Sequence, residues 1–143
     1  MTRRKEPAEL RSADASAAEF ARRVPAVAAQ IGDIRRAVLA LADARGAAKA
    51  AQADIALAVS EACTNVVLHA YLGHPQPGPL TAEAYHDNRK LVVVITDEGS
   101  GMAPRHDSPG LGLGLPLITR LAERVDVSRS TPTGTEVRMT FVL

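Results

Sequence analysis

The chain reads as an α+β domain, a two-layer sandwich with helices on one face of a mixed, mostly antiparallel β-sheet. Three observations predict it. Two early segments carry apolar residues at helical intervals, and two later pairs of segments have strand length and pattern around turn-forming residues. A third helical segment falls between those pairs, so the order is helix, helix, strand, strand, helix, strand, strand, with no internal repeat.

Residues 1–16 carry Arg3, Arg4, Lys5, Glu6, Glu9 and Arg11 with almost nothing apolar, and read as a flexible basic tail before a single domain over 17–143. Glu19–Val24 reads as a short strand. Pro25 suits the first turn of a helix and Gly46 its end, and between them Val27, Ile31, Ile34, Val38 and Leu41 form one apolar stripe. A second helix over about Gln52–Ala70 is rich in Ala, Val and Leu on nearly all sides and is expected to be largely buried. Gly73, Pro75, Pro77, Gly78 and Pro79 break regular structure after it. Leu80–Tyr85 and Leu91–Thr96 flank His86-Asp87-Asn88-Arg89 as a hairpin, and the run Leu91–Ile95 predicts a central buried strand. A glycine-rich connection over 97–114 leads to a third helix near Leu115-Pro116. Val125–Ser130 and Thr135–Val142 then pair around Thr131-Pro132-Thr133-Gly134.

Composition narrows the function classes. A length of 143 residues can bury a core without a metal or disulfide staple, and the only cysteine, Cys63, sits among apolar neighbours as a small core residue. The net charge of +1 gives no reason to expect nucleic acid or anionic lipid as the main partner, and two Phe, two Tyr and no Trp supply no platform for stacking bases. No window approaches the ~18 apolar residues of a membrane span, and no signal-peptide pattern follows the amino terminus. A cytoplasmic domain with no direct nucleic-acid or membrane role is expected.

Three motifs carry chemistry. Glu61, Asn65 and His69 recur at i, i+4, i+8 on the second helix, which stacks them on one face. Polar groups inside so apolar a helix are costly unless paired. They are therefore either hydrogen-bonded within the protein or turned toward a polar cavity, where Glu and Asn oxygens one turn apart can organise a cation and its waters. Thr96-Asp97-Glu98-Gly99-Ser100-Gly101-Met102 directly follows the strongest strand. It is either a tight turn or a fixed carboxylate acceptor for an exocyclic amine such as that of adenine, with glycines leaving room for a flat base. Gly110-Leu111-Gly112-Leu113-Gly114-Leu115-Pro116 runs into the third helix, either as a flexible loop or as a phosphate cradle of open N–H groups at a helix amino terminus.

The ordered set, with Gly134-Thr135 before the last strand, resembles the GHKL ATPase (Bergerat) fold of gyrases, sensor histidine kinases and related ATPases. Within that fold, Asp54–Tyr71 resembles the corresponding helix of anti-sigma-factor serine/threonine kinases, and the resemblance extends over roughly residues 20–143. It implies ATP and Mg²⁺ as cofactors, with Asn65 the Mg²⁺ ligand and Glu61 the general base. It further implies that Asp97 binds the adenine amine, with Gly99 and Gly101 shaping that end of the pocket and Thr135 supporting it. Gly110, Leu111, Gly112, Leu113 and Gly114 would belong to the lid over the phosphates, which is short over 103–109. His69 matches a family position but is given no role.

The activity implied is transfer of a phosphoryl group to a serine on an anti-anti-sigma protein of STAS type, coupled to sequestration of a sigma factor. A homodimer is compatible with the family. Two other readings remain, a catalytically silent nucleotide-dependent binding module and a histidine-kinase-type ATPase fragment. The second lacks an upstream dimerisation hairpin bearing a phospho-accepting His.

Overall fold

The computed structural model describes residues 18–100, 114–130 and 132–143. The tail over 1–16 and the lid over 103–109 lie outside them. In chain order the described elements are β1 (Phe20–Pro25), α1 (Ala29–Ala44), α2 (Lys49–Asn65), β2 (Pro79–Asp87), β3 (Lys90–Asp97), α3 (Gly114–Leu121), β4 (Arg124–Arg129) and β5 (Thr135–Val142); a π-helical turn, Val66–Ala70, extends α2. The strands form one sheet in the order β1-β2-β3-β5-β4. The two-layer α+β class is as the sequence predicts, and all four pairings are antiparallel rather than mixed. β3 and β4 run in the same direction, but β5 lies between them and pairs with both.

The core lies between the inner sheet face and the helices. Leu80, Ala82 and Ala84 of β2, Leu91, Val93 and Ile95 of β3, and Val137, Met139 and Phe141 of β5 alternate inward. They join Ile34 and Val38 of α1, Ile55, Ala58, Val59 and Ala62 of α2, and Ile118 of α3 in one buried cluster. Cys63 belongs to this cluster, and burial pushes its thiol up to about 12, so it is a protonated core residue. β3 is buried on its outer face as well. Arg138 Nη1 donates to Tyr85 Oη at 2.7 Å, from β5 to β2 across β3, over Val92 and Val94. That bridge accounts for the near-continuous apolar run in a sheet with helices on one side only.

One sequence expectation is corrected. Pro25 closes β1 opposite Pro79 instead of opening a helix, and α1 starts at Ala29 after backbone turns from Gln30 N–H to Val27 and Ile31 N–H to Ala28. The α2 helix and its π turn are largely buried, as expected, with Leu57 and Leu68 exposed. Gly46 does end α1. At φ 83° its N–H bonds the Asp43 carbonyl while Ala47 N–H bonds that of Ala42, the paired closure for which a glycine beyond the helix end is favoured.

The β2–β3 turn places Asn88 at φ 47° and Arg89 at φ 65°. Both central residues of a two-residue hairpin turn then lie in the left-handed region, where Asn-Gly is the favoured pair. Arg89 bears a Cβ penalty of about 1 kcal/mol there. Arg89→Gly should therefore raise unfolding stability by about 1 kcal/mol, offset in part by greater freedom of the unfolded chain. Urea denaturation of the two proteins measures it, and a loss of stability would mean that the arginine side chain outweighs its backbone strain.

Candidate functional site

The apolar character of α2 makes its polar residues conspicuous. Asn65, its last residue, is only 8% exposed, and Glu61, one turn earlier, is half-buried. Among the described residues no hydrogen bond from the Asn65 carboxamide and no ion pair of Glu61 is found. The neighbouring Ser60 is engaged, since its Oγ accepts from Arg35 Nη1 of α1 at 3.2 Å. The chain widens into the π turn immediately after Asn65. His69 falls within this turn and is half-buried. A π turn of this kind commonly marks a functional segment.

The end of that turn meets the loop after β3. Ser100 N–H donates to the Ala70 carbonyl at 2.9 Å. A Cβ on Gly99 would lie 2.0 Å from the same oxygen, so glycine is required because helix backbone occupies that space. This close approach is a physical reason for glycine here, alongside the tight-turn and base-accommodating readings of the motif.

Asp97, at the end of β3, is 1% exposed. Gly99 N–H donates to its Oδ1 at 2.9 Å, and the backbone amide of Thr135 also bonds the carboxylate. Burial pushes the Asp97 carboxyl above its usual value, while the two amides pull it back down. Thr135 is itself buried at the start of β5. The structure thus brings Asp97, Gly99 and Thr135 together, and sets them against the far end of the helical segment that carries Glu61 and Asn65.

Sequence reasoning missed two residues beside Asp97. Tyr71 Oη accepts from Glu98 N–H at 2.9 Å and donates to the Pro79 carbonyl, and its ring packs so close to Gly78 that a Cβ there would lie 2.2 Å away. Ser130 Oγ donates to the Asp97 carbonyl at 2.7 Å. Neither carries a motif signature. Tyr71 is the last residue of the Asp54–Tyr71 segment and Ser130 the last of the predicted strand Val125–Ser130, and neither was given a role there.

Gly101, Gly110, Leu111, Gly112 and Leu113 lie outside the described residues, and Gly114 is the first residue of α3. No cluster of three or more His, Cys, Asp or Glu suited to a metal occurs among the described residues, so a cation here would depend on few protein ligands. A shallow depression lined by Asp87, Lys90, Val92, Glu123, Arg124 and Thr140 lies at the opposite end of β3. Most of its charges are paired, Lys90 with Glu123 at 2.9 Å and Arg124 with Asp126 at 2.9 Å.

Two predictions follow from the Asp97 loop. Gly99→Ala should destabilise the protein by about 2–3 kcal/mol, because a backbone carbonyl cannot yield as a side chain can; thermal or urea unfolding measures it. The raised carboxyl pKa also has a sign. Between the ordinary value of 3.8 and the raised folded value the native state binds more protons than the unfolded chain, so this contribution is present at acid pH and is lost as the pH rises through the folded pKa. Asp97→Asn should therefore be more stable than wild type at pH 7 without nucleotide, and the gain should shrink as the pH falls toward 4. An Asn variant less stable at pH 7 would show that the amide bonds outweigh the burial.

Residues 5–141 match the family model described as a histidine kinase-like ATPase domain. The chain is 33% identical over 123 residues to the serine-protein kinase RsbW of Halalkalibacterium halodurans, covering 76% of this chain and 74% of that protein. It is 32% identical over 99 residues to the anti-sigma F factor of Thermoanaerobacter sp. (strain X514), covering 62% of this chain and 68% of the relative. Its fold is similar to a chain in the crystal structure of the SiaB–SiaC complex from Pseudomonas aeruginosa, with a TM-score of 0.70 at 16% identity over 94% of this chain and 95% of the other. The motifs on α2 and after β3, the helices layered on an antiparallel sheet and these relatives agree: the chain belongs to the histidine kinase-like ATPases, in the family of anti-sigma-factor serine kinases.

Proposed function

We propose that the protein binds Mg²⁺ and ATP between α2 and the loop after β3, and transfers the γ-phosphoryl group to a serine of a partner protein. The observation that carries this reading is the buried Asp97 carboxylate. It is held by two backbone amides at a strand end, beside a helical segment that ends its apolar run in Glu61 and Asn65. The donor set suits the ligand. Asp97 is an acceptor for the adenine amine, and Asn65 offers a nearly buried carboxamide oxygen to Mg²⁺. In the sequence, Gly110 and Gly112 ahead of α3 and Gly114 at its start would offer N–H groups to the phosphates.

Bound Mg·ATP supplies a charge-neutralised γ-phosphoryl group and ADP as leaving group. The acceptor hydroxyl is supplied by the partner protein. Glu61 takes the proton that the serine oxygen releases as it forms its bond to phosphorus. Asp97 and Thr135 hold the adenine end in place, which makes the step chiefly one of positioning. The family relationship points to an anti-anti-sigma protein of STAS type as the phosphate acceptor and to a sigma factor as the competing partner.

At a nucleotide concentration near a hundred times its dissociation constant, Mg·ATP should stabilise the protein by about 2.7 kcal/mol, seen as a rise of several degrees in melting temperature. The rise should vanish in Asp97→Asn. With the acceptor protein present, Glu61→Ala should keep the thermal shift but lose at least about a hundredfold in phosphorylation rate. Unchanged phosphorylation by Glu61→Ala would remove Glu61 as the base, and a nucleotide-dependent complex without transfer would make the protein a binding module.

A further inference from the structure

The peptide unit joining Asp97 to Glu98 is gripped on both edges. Its carbonyl accepts from Ser130 Oγ at 2.7 Å, and its N–H donates to Tyr71 Oη at 2.9 Å. The two side chains reach it from opposite directions in the chain, Tyr71 from just after the π turn and Ser130 from just after β4. Each is anchored in turn. Tyr71 Oη donates to the Pro79 carbonyl where β2 begins and its ring lies on Gly78; Ser130 N–H bonds the Gly134 carbonyl at 3.2 Å. The Glu98 side chain adds a surface tie, an ion pair with Arg23 Nη2 of β1 at 2.9 Å.

This geometry has a direct consequence for the Asp97 side chain. A peptide plane held by its carbonyl and its N–H cannot rotate, so the ψ of Asp97 and the φ of Glu98 are set by groups outside the loop. The direction in which the carboxylate leaves the backbone follows from that plane. The amides of Gly99 and Thr135 occupy part of the carboxylate, and the remaining lone pairs point where the backbone directs them. Burial also keeps the Tyr71 phenol above its usual pKa, so at neutral pH it carries the proton it donates to Pro79.

We propose that Tyr71 and Ser130 are positioning residues for base recognition: by clamping the Asp97–Glu98 peptide they aim the Asp97 carboxylate at the exocyclic amine of adenine, and so set the preference for ATP over purine nucleotides that lack it. This rests on Asp97 as the adenine acceptor. Neither residue touches the nucleotide; each acts through Asp97. The clamp also ties base recognition to the π turn, because Tyr71 immediately follows Ala70, the residue whose carbonyl receives Ser100 N–H.

The test measures dissociation constants of the full chain for Mg·ATP and for Mg·purine riboside 5′-triphosphate, which lacks only the amine. Wild type, Tyr71→Phe and Ser130→Ala are compared. Wild type should prefer ATP by roughly tenfold or more, as expected for a hydrogen bond to a charged group. In both variants that ratio should fall to about threefold or less, through weaker ATP binding with little change for the amine-free analogue. Tyr71→Phe keeps the ring on Gly78, and Ser130→Ala tests the opposite edge of the peptide should the tyrosine variant fold poorly. A wholly structural role would lower the melting temperature and weaken both nucleotides alike, leaving the ratio unchanged, which would overturn the proposal while sparing the adenine assignment. A wild type that binds both nucleotides equally would overturn the assignment of Asp97 and the clamp together.

Discussion

A carboxylate withdrawn from water at the end of the central strand is the constraint on which the candidate site depends. Burial opposes the charge of Asp97, and only nearby dipoles can offset it. Gly99 and Thr135 provide those dipoles from two directions, one from the loop that follows and one from a strand that returns about forty residues later in the chain. For both amides to arrive, the loop must fold back on itself and β5 must pair with β3 in the observed register, which runs from Lys90 opposite Val142 to Thr96 opposite Glu136. The packing of the sheet and the chemistry of the site are therefore the same requirement seen at two scales.

The π turn is the second half of that arrangement. An uninterrupted α-helix would have carried Ala70 and Tyr71 elsewhere; the wider turn brings the Ala70 carbonyl to Ser100 N–H and leaves Gly99 no room for a side chain. Gly99 thus serves packing between backbone segments, as a tight-turn reading of its motif allows.

The parts of the fold most legible in the sequence were those governed by local chemistry: the apolar stripe through Ile31, Ile34 and Val38, the Gly46 stop, and the hairpin around Asn88-Arg89. Asp97 was legible as a candidate site residue because it follows an apolar strand run, and the structure shows its carboxylate buried there. What escaped was set by distant partners. Pro25 suited a helix start as well as a strand end, and its pairing with Pro79 across the β1–β2 ladder decided the matter. The exposure of Leu57 and Leu68 depends on which side of α2 the sheet covers. Tyr71 and Ser130 bond backbone atoms, which leave no trace in residue type, and the π turn arises in a sequence that scores as ordinary helix.

The strand order has a consequence for how the molecule comes into being. β5 is the latest of the described strands in the chain, yet it lies inside the sheet and is the only neighbour of β4. While the chain is still emerging from the ribosome, β1, β2 and β3 can associate, but β4 has nothing to pair with and Asp97 lacks the amide of Thr135. The candidate site can therefore be completed only after β5 has left the exit tunnel, so until then a growing chain shows an open β3 edge and an Asp97 without the Thr135 amide.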